Sequence, residues 1–405
     1  MSDNVLLARQ PIYNQALEVC AYELLFRQQS DDLHAEFSCG DKATSQVIMN
    51  AFGEAGLESI CGEHPAYINF TRNLIMERPP FDPKHFVIEI LENIEVDDEL
   101  IKALKVAKRE GAKLALDDFI LNHNSAPLLH LVDIVKIDVL SLNKTQIERF
   151  AKAFIPRNLS LLAEKVETHE MYQFCKNLGF HMFQGYFLSR PQIVEGRAIP
   201  ENKAVLLKLL RDIQDPDITV PSMTQTLSQD PQMSYKLLKL VNSAAFARVT
   251  TCTSLHQAIA MLGINHIRRW ASLVAMGTLD DKPHALRQAS LERALICEHI
   301  GARLGQFPSQ DYYTVGLFSL LDAFLDRPAL EILKSLNIPE EMERAILNKQ
   351  GVLGLALSTT IFLQQGRLDN IDTALLAKHG IDIDTLTDIY KQSLIEADEL
   401  SKDLG

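Results

Sequence analysis

The chain has 405 residues, 47% of them hydrophobic and 23% charged, a globular balance that excludes disorder over most of the length and is too long for one small domain. Its formal net charge of −13 argues against a protein whose main work is holding duplex nucleic acid, because that needs a cationic face. The six cysteines (Cys20, Cys39, Cys61, Cys175, Cys252 and Cys297) form no C-x-x-C pair, which fits reduced cytoplasmic thiols and gives neither a disulfide framework nor a zinc site.

The opening residues, MSDNVLLARQPIY, place no basic stretch ahead of a long apolar one, so no signal peptide is expected. Short strand-like runs follow at 19–26, 66–70, 86–90, 113–116, 134–137 and 160–163, with helical stretches between them at 41–57, 96–109, 140–154 and 168–178. In the second of these, Leu100, Leu104 and Ala107 recur at i, i+4 and i+7 and share one helix face. Repeated β–α units predict a parallel sheet with helical crossovers. A closed β/α barrel is the best-supported version, with an open doubly wound sheet second. After 184–191 the strand signals stop. Residues 195–203 (EGRAIPENK) read as a linker, and 204–210, 233–241, 255–262, 267–276 and 291–304 read as helices. The expected organisation is a barrel over 1–194 and an all-α domain over 204–405. The apolar stretches 315–325 and 351–363 fall short of the ~20 residues a membrane span needs, so a cytoplasmic protein without a span is expected.

Chemistry in a β/α barrel gathers at the C-terminal ends of the strands. Here the apolar runs close with Glu23 and Arg27, Asn69, Glu89 and Glu92, Asp117 and Asp118, Lys136 and Asp138, Glu164 and Glu167, and finally Gln184. Singly, a carboxylate after a strand is often the N-cap of the next helix. As a series on one rim, the carboxylates would repel one another and be costly to desolvate. One or two divalent cations would remove that cost, and oxygen ligation that includes an Asn carbonyl suits Mg²⁺ or Mn²⁺ rather than zinc. The substrate expected of such a site is a phosphate ester. Paired metals lower the pKa of a bridging water, a carboxylate takes its proton, Lys136 orients the nucleophile, and Arg27 grips a phosphate by its fork.

These segments taken together resemble the EAL domain family, bacterial phosphodiesterases that open cyclic di-GMP to linear pGpG. The matching pieces are Arg9-Gln10-Pro11-Ile12, Tyr22-Glu23-Leu24-Leu25-Phe26-Arg27, Ile68-Asn69, Ile88-Glu89-Ile90-Leu91-Glu92, Leu116-Asp117-Asp118-Phe119, Val135-Lys136-Ile137-Asp138, Ala163-Glu164-Lys165-Val166-Glu167 and Phe183-Gln184-Gly185-Tyr186. The resemblance implies Glu23, Asn69, Glu89 and Asp117 on one metal, and Asp117 and Asp118 with Glu164 on a second. It implies Glu164 as general base, Lys136 positioning the water, Arg27 and Gln184 on the substrate, and Glu92, Asp138 and Glu167 in support. Three departures stand out, one of them Gln28 in place of the family's aromatic after Arg27. The family's D-D-F-G-T-G loop reads Asp117-Asp118-Phe119-Ile120-Leu121-Asn122 here, and Lys165 replaces the Gly of E-G-V-E.

The second half resembles the HDOD domain, a helical relative of HD-type phosphohydrolases. The resemblance lies in Gln229-Asp230-Pro231, Leu240-Val241-Asn242-Ser243-Ala244, Thr253-Ser254-Leu255, Gln257-Ala258-Ile259 and Leu262-Gly263. Ser319 and Leu320 stand where an active HD enzyme carries its metal-holding His-Asp doublet, so binding or signal output is expected there rather than catalysis. The order of modules is that of EAL–HDOD hybrid signalling proteins. It implies a metal-dependent cyclic di-GMP phosphodiesterase, acting as a homodimer with an unidentified protein partner for the HDOD half, and with outputs in motility and biofilm formation. The alternative is a cyclic di-GMP sensor that binds without cleaving and signals through the HDOD half.

Overall fold

The computed structural model describes residues 5–28, 56–77, 86–91, 94–117, 127–191, 201–229, 233–235, 237–238, 253–276, 282–336 and 338–404. The chain forms two compact units. The first comprises Met1–Leu188 together with Phe362–Ile371 and Asp382–Thr387; the second holds the remainder.

The first unit is a closed barrel of eight strands: β1 (Val5–Asn14), β2 (Val19–Gln28), β3 (Ala66–Phe70), β4 (Phe86–Ile90), β5 (Lys113–Leu116), β6 (Ile134–Asp138), β7 (Ser160–Glu164) and β8 (Met182–Phe183). From β2 to β8 the neighbours are parallel. The expected parallel pairing covers these strands; β1, which the run of sequence signals does not include, is antiparallel to both β2 and β8. The reason is the short connection to β2. Asn14 Oδ1 accepts from the backbone N–H groups of Ala16 and Glu18 at 2.8 and 3.0 Å, an Asx turn that closes a hairpin where a crossover helix has no room.

Helices on the outside start where side chains supply the missing acceptors. Asp97 caps Asp98–Arg109, Asn143 closes a reciprocal capping box on Lys144–Phe154, and Thr168 caps His169–Asn177. Inside, Ile12, Ala21, Tyr67, Val87, Ala115, Ile134 and Leu162 meet in one buried layer, with Cys20 and Met182 against it. The barrel is therefore plugged by apolar side chains below its mouth.

The second unit is helical. Its longest internal helix, His284–Leu304, packs along Ser309–Phe318. Ser254 caps Leu255–Leu262, which ends at Gly263 with φ +86°. Residues 230–231, 236 and 239–244 lie outside the described residues, as do 41–55 and 195–200 of the linker. One stretch, Glu340–Gln364, is long and apolar enough by composition to cross a membrane, with 44% of its window buried. Its backbone is not one rod, since Lys349 turns left-handed at φ +58° and separates Glu340–Asn348 from Gly351–Gln364.

Candidate active site

Side chains on a strand alternate faces with period two. A residue two positions beyond each member of the apolar layer therefore points into the same interior, one step nearer the mouth. From Ala21, Tyr67, Val87, Ala115, Ile134, Leu162 and Met182 that step leads to Glu23, Asn69, Glu89, Asp117, Lys136, Glu164 and Gln184. On the reversed strand β1 the step runs backwards, from Ile12 to Gln10, and Gln10 lies opposite Glu23 in register. One polar ring thus gathers eight side chains, one for each strand position around the barrel.

Lys136 is fully buried. Its Nζ is 2.7 Å from Glu89 Oε1, 2.8 Å from Asp117 Oδ1, 2.9 Å from Glu164 Oε1 and 3.4 Å from Glu23 Oε1. Burial alone would push this ammonium down, but the carboxylates of Glu23, Glu89, Glu164 and Asp117 outweigh it and hold it well above the usual lysine value. One ammonium does not balance four carboxylates. Burial, with Glu23 and Asp117 close by, keeps the Glu89 carboxyl well above its ordinary range despite the opposing pull of Lys136. Burial raises Glu164 to about 8, with Lys136 pulling down and Asp117 and Glu23 pushing up.

Four oxygens in the ring have no hydrogen-bond donor among the described residues: Asn69 Oδ1, Glu89 Oε2, Glu164 Oε2 and Gln184 Oε1. Glu89 Oε1 also lacks one by angle, its contact with Lys136 being an ion pair. Buried acceptors left over in this way are expensive unless something outside the chain answers them. Carboxylates, an amide oxygen and no sulfur or imidazole form the donor set of a hard divalent cation. Among the described residues no three His, Cys, Asp or Glu side chains are already drawn into a cage for an ion; Lys136 holds the carboxylates instead.

Gln184 is fixed on both sides. Its N–H donates to Ala163 O at 2.8 Å, and its carbonyl accepts from Val166 N at 2.9 Å. The next residue, Gly185, has φ +144°, and a Cβ there would come within 2.1 Å of Val166 O, so only glycine lets β8 approach β7 this closely. The Gln184 amide then donates to Glu23 Oε2 at 2.6 Å and to Gln10 Oε1 at 2.9 Å.

Sequence similarity spans both halves of the chain. The EAL domain family matches residues 55–191 and the HDOD domain family residues 199–324. Across 401 residues, 96% of this chain and 97% of the other, the sequence is 32% identical to YuxH, an uncharacterised protein of Bacillus subtilis. The chain belongs to the EAL–HDOD family. Another relative, the cyclic di-GMP phosphodiesterase CdgJ of Vibrio cholerae, is 29% identical over 405 residues, covering 98% of this chain and 93% of CdgJ. Among solved structures, the manganese and cyclic di-GMP complex of Klebsiella pneumoniae BlrP1 overlaps 46% of this chain and 55% of its own, at 22% identity and a TM-score of 0.39, too slight an overlap to bear on the site.

Of the EAL–HDOD residues expected from sequence, Glu23, Asn69, Glu89, Asp117, Lys136, Glu164 and Gln184 all lie in the ring. Asp138 does not touch Lys136. It caps the turn after β6, accepting from Leu140 N and Ser141 N, and pairs with Lys165 at 2.6 Å. That pairing accompanies Lys165 in its left-handed conformation, φ +54°. Glu167 lies close enough to the Tyr186 hydroxyl to act on it electrostatically. Asp118, Glu92 and the Arg27 side chain lie outside the described residues, as does the loop after Asp118. Sequence reasoning gave Gln10 no role, because attention to the ends of strands overlooks a strand that enters the mouth with its beginning. The Gln10–Ile12 spacing carries the signal once β1 is known to be reversed. In the helical unit, Leu320 is buried in the core, while Ser319 Oγ donates to Gly316 O and accepts from Arg293.

Proposed function

We propose that the chain is a cytoplasmic, metal-dependent phosphodiesterase that hydrolyses cyclic di-GMP to linear pGpG. The observation that carries this reading is the ring of unpartnered oxygens around a buried lysine, at the mouth of a barrel in an EAL–HDOD chain. The name of CdgJ, similar over the whole length, supports the same substrate. Glu23, Asn69, Glu89 and Asp117 would hold one Mg²⁺ or Mn²⁺, and Asp117, Asp118 and Glu164 a second. Such ions supply Lewis-acid stabilisation of phosphoryl charge and a more acidic water.

The protein's own groups do the rest. Glu164 takes the proton of the attacking water. Lys136, hydrogen-bonded into the ring, orients that water and steadies charge as it develops. A new P–O bond forms to the water oxygen, the bond from phosphorus to the 3′ oxygen breaks, and the 3′ oxygen takes up a proton from solvent while Glu164 returns its own. Gln184 Oε1 is a free acceptor for a substrate donor, Arg27 grips a phosphate, and Glu92, Asp138 and Glu167 keep the surrounding loops in place. The enzyme works as a homodimer, and its helical half, with Ser319 and Leu320 in place of a metal-holding doublet, passes the state to a protein partner that acts on motility and biofilm formation.

Incubation of the purified full chain with cyclic di-GMP and Mg²⁺ or Mn²⁺ should release pGpG. Turnover should fall roughly 10²–10⁴-fold in Glu164→Gln and vanish in Glu23→Ala. Tight nucleotide binding with no cleavage under either metal would overturn this reading in favour of a sensor.

A further inference from the structure

Gln10 and Tyr186 are outside the proposed ligand set, yet they complete a hydrogen-bonded path that starts on Glu23. Gln184 Nε2 donates to Glu23 Oε2 at 2.6 Å and to Gln10 Oε1 at 2.9 Å. Gln10 Nε2 donates to the Tyr186 hydroxyl at 3.4 Å, and that hydroxyl donates to the backbone carbonyl of Gln365 at 2.6 Å. Both ends of the path are acceptors only, a carboxylate and a carbonyl. That fixes every group between them. Gln184 must turn its NH₂ to Glu23, Gln10 must receive with its oxygen and donate with its nitrogen, and Tyr186 must point its proton outwards. The same constraint leaves Gln184 Oε1 facing the site without a donor.

The far end of the path is built into the fold. Gln365 belongs to Phe362–Ile371, which lies more than 170 residues along the chain from Tyr186 yet packs in the same compact unit as the barrel. Its neighbour Gly366 has φ +62°, and a Cβ there would come within 2.0 Å of Leu25 Cδ1. Leu25 is on β2, two residues past Glu23. The segment therefore touches the strand that carries the carboxylate and also terminates the hydrogen bonds that orient it. Phe362–Ile371 lies beyond the residues matched to the HDOD domain family, which end at 324.

We propose that Gln10 and Tyr186 are positioning residues of the cation site, and that the Phe362–Ile371 segment sets Glu23 by fixing the direction of this path. The inference rests on the metal-dependent reading above. Without the Tyr186 hydroxyl, Gln10 is free to turn over, present its NH₂ to Gln184, and release Gln184 from Glu23. Tyr186→Phe keeps the ring and removes only the proton donor; Gln10→Ala removes the middle of the path.

The test is Mn²⁺ titration of the full-length protein, following the electron-spin resonance signal of the free ion, with melting in EDTA and steady-state kinetics alongside. Outer-shell partners of a ligand alter metal affinity by about tenfold or more. Gln10→Ala should reach about that figure and Tyr186→Phe about a third of it. The double variant should be no worse than Gln10→Ala, because the two act in series. Melting in EDTA should stay near wild type for Tyr186→Phe, and its lost turnover should return at saturating Mn²⁺. Wild-type Mn²⁺ affinity in Tyr186→Phe and Gln10→Ala, in a protein that binds Mn²⁺ and cleaves substrate, would overturn the positioning role alone. A wild type that binds no Mn²⁺ would overturn the metal reading and this inference with it.

Discussion

The two units bury charge in opposite ways. In the helical unit, Arg269 places Nη1 2.8 and 2.7 Å from the two oxygens of Glu298 and Nη2 3.4 Å from Glu396, with its guanidinium 4.8 Å over the Trp270 ring and 4.3 Å over that of Tyr313. His299 closes the group, its Nε2 3.4 Å from Glu396 and its Nδ1 2.8 Å from Ser393 Oγ. One guanidinium faces two carboxylates here, and both oxygens of Glu298 lie within ion-pair distance of it, although Oε2, like Glu89 Oε1 in the barrel, lacks a hydrogen bond by angle. In the barrel, four carboxylates share one ammonium and several oxygens face no donor. The difference separates a structural ion cluster from a site built for a ligand. The first sets one cation against two carboxylates, whereas the second sets one ammonium against four, an excess relieved by protons on Glu89 and Glu164 or by an added metal cation.

The largest effect should come from removing each unit's central cation. Lys136→Met and Arg269→Met each leave buried carboxylates uncompensated, at a cost of about 3–5 kcal/mol. The two should part when metal is added. At a hundred times the dissociation constant, Mn²⁺ returns about 2.7 kcal/mol to a protein that binds it only when folded. Relative to the Mn²⁺ shift of wild type, urea unfolding in EDTA and in Mn²⁺ should show extra recovery for Lys136→Met, whose four carboxylates no longer share a competing cation, and none for Arg269→Met, whose barrel site is unchanged. Equal recovery in both, or in neither, would break the comparison.

Much of this contrast is legible in the sequence, and what escapes is legible only in space. Six strands announce themselves by short apolar runs, each carrying or followed by a polar residue, and six ring members follow from that pattern, with Gln184 a seventh from the Phe183-Gln184-Gly185-Tyr186 segment. The eighth, Gln10, does not, because β1 has the same alternation but the opposite direction, and direction is set by the Asn14 turn. β8 is only Met182–Phe183, too short to give a periodic signal. The cluster around Arg269 draws on residues 269, 298, 313 and 396, whose separations follow no motif, so only packing of the helices brings them together. The tie from Tyr186 to Gln365 is invisible for the same reason, and its acceptor is a backbone carbonyl that any residue would supply.

A pH titration sharpens the comparison on the helical side. Burial lifts Glu298 to about 7, Arg269 pulling it down and Glu396 pushing it up. Its folded value is above the unfolded one, so between roughly pH 4.5 and 7 the native state binds more protons. Stability from this group therefore falls as pH rises through that window and levels off above it. His299, which burial lowers, contributes with the opposite sign below its ordinary value. The difference between wild type and Glu298→Gln, followed by urea unfolding across pH 4.5–8, isolates the Glu298 part and should amount to about 1–3 kcal/mol over the window. A difference that stays constant with pH would mean that Arg269 holds Glu298 ionised throughout, making the cluster a simple ion pair.

The smallest effect sets two lysines side by side, one in each unit. Lys165 and Lys349 are both left-handed, at φ +54° and +58°, a conformation that costs any side chain with a Cβ roughly 1 kcal/mol and glycine almost nothing. Lys165 has a use for its position, since it reaches Asp138 at 2.6 Å over the barrel mouth. Lys349 ends the helix Glu340–Asn348 and donates to the Ile346 carbonyl, with Asp322 near enough to act on it but no ion pair between them among the described residues. Glycine at 349 loses a little favourable charge at the helix C-terminus but gains the relaxed backbone, so Lys349→Gly should stabilise by about 0.5 kcal/mol in urea. Glycine at 165 gains the same relaxation and loses a half-exposed ion pair worth up to about 1 kcal/mol, so Lys165→Gly should be neutral to slightly destabilising. If both variants gain equally, the Asp138 contact contributes nothing, and the residue at 165 is indifferent to the mouth it overhangs.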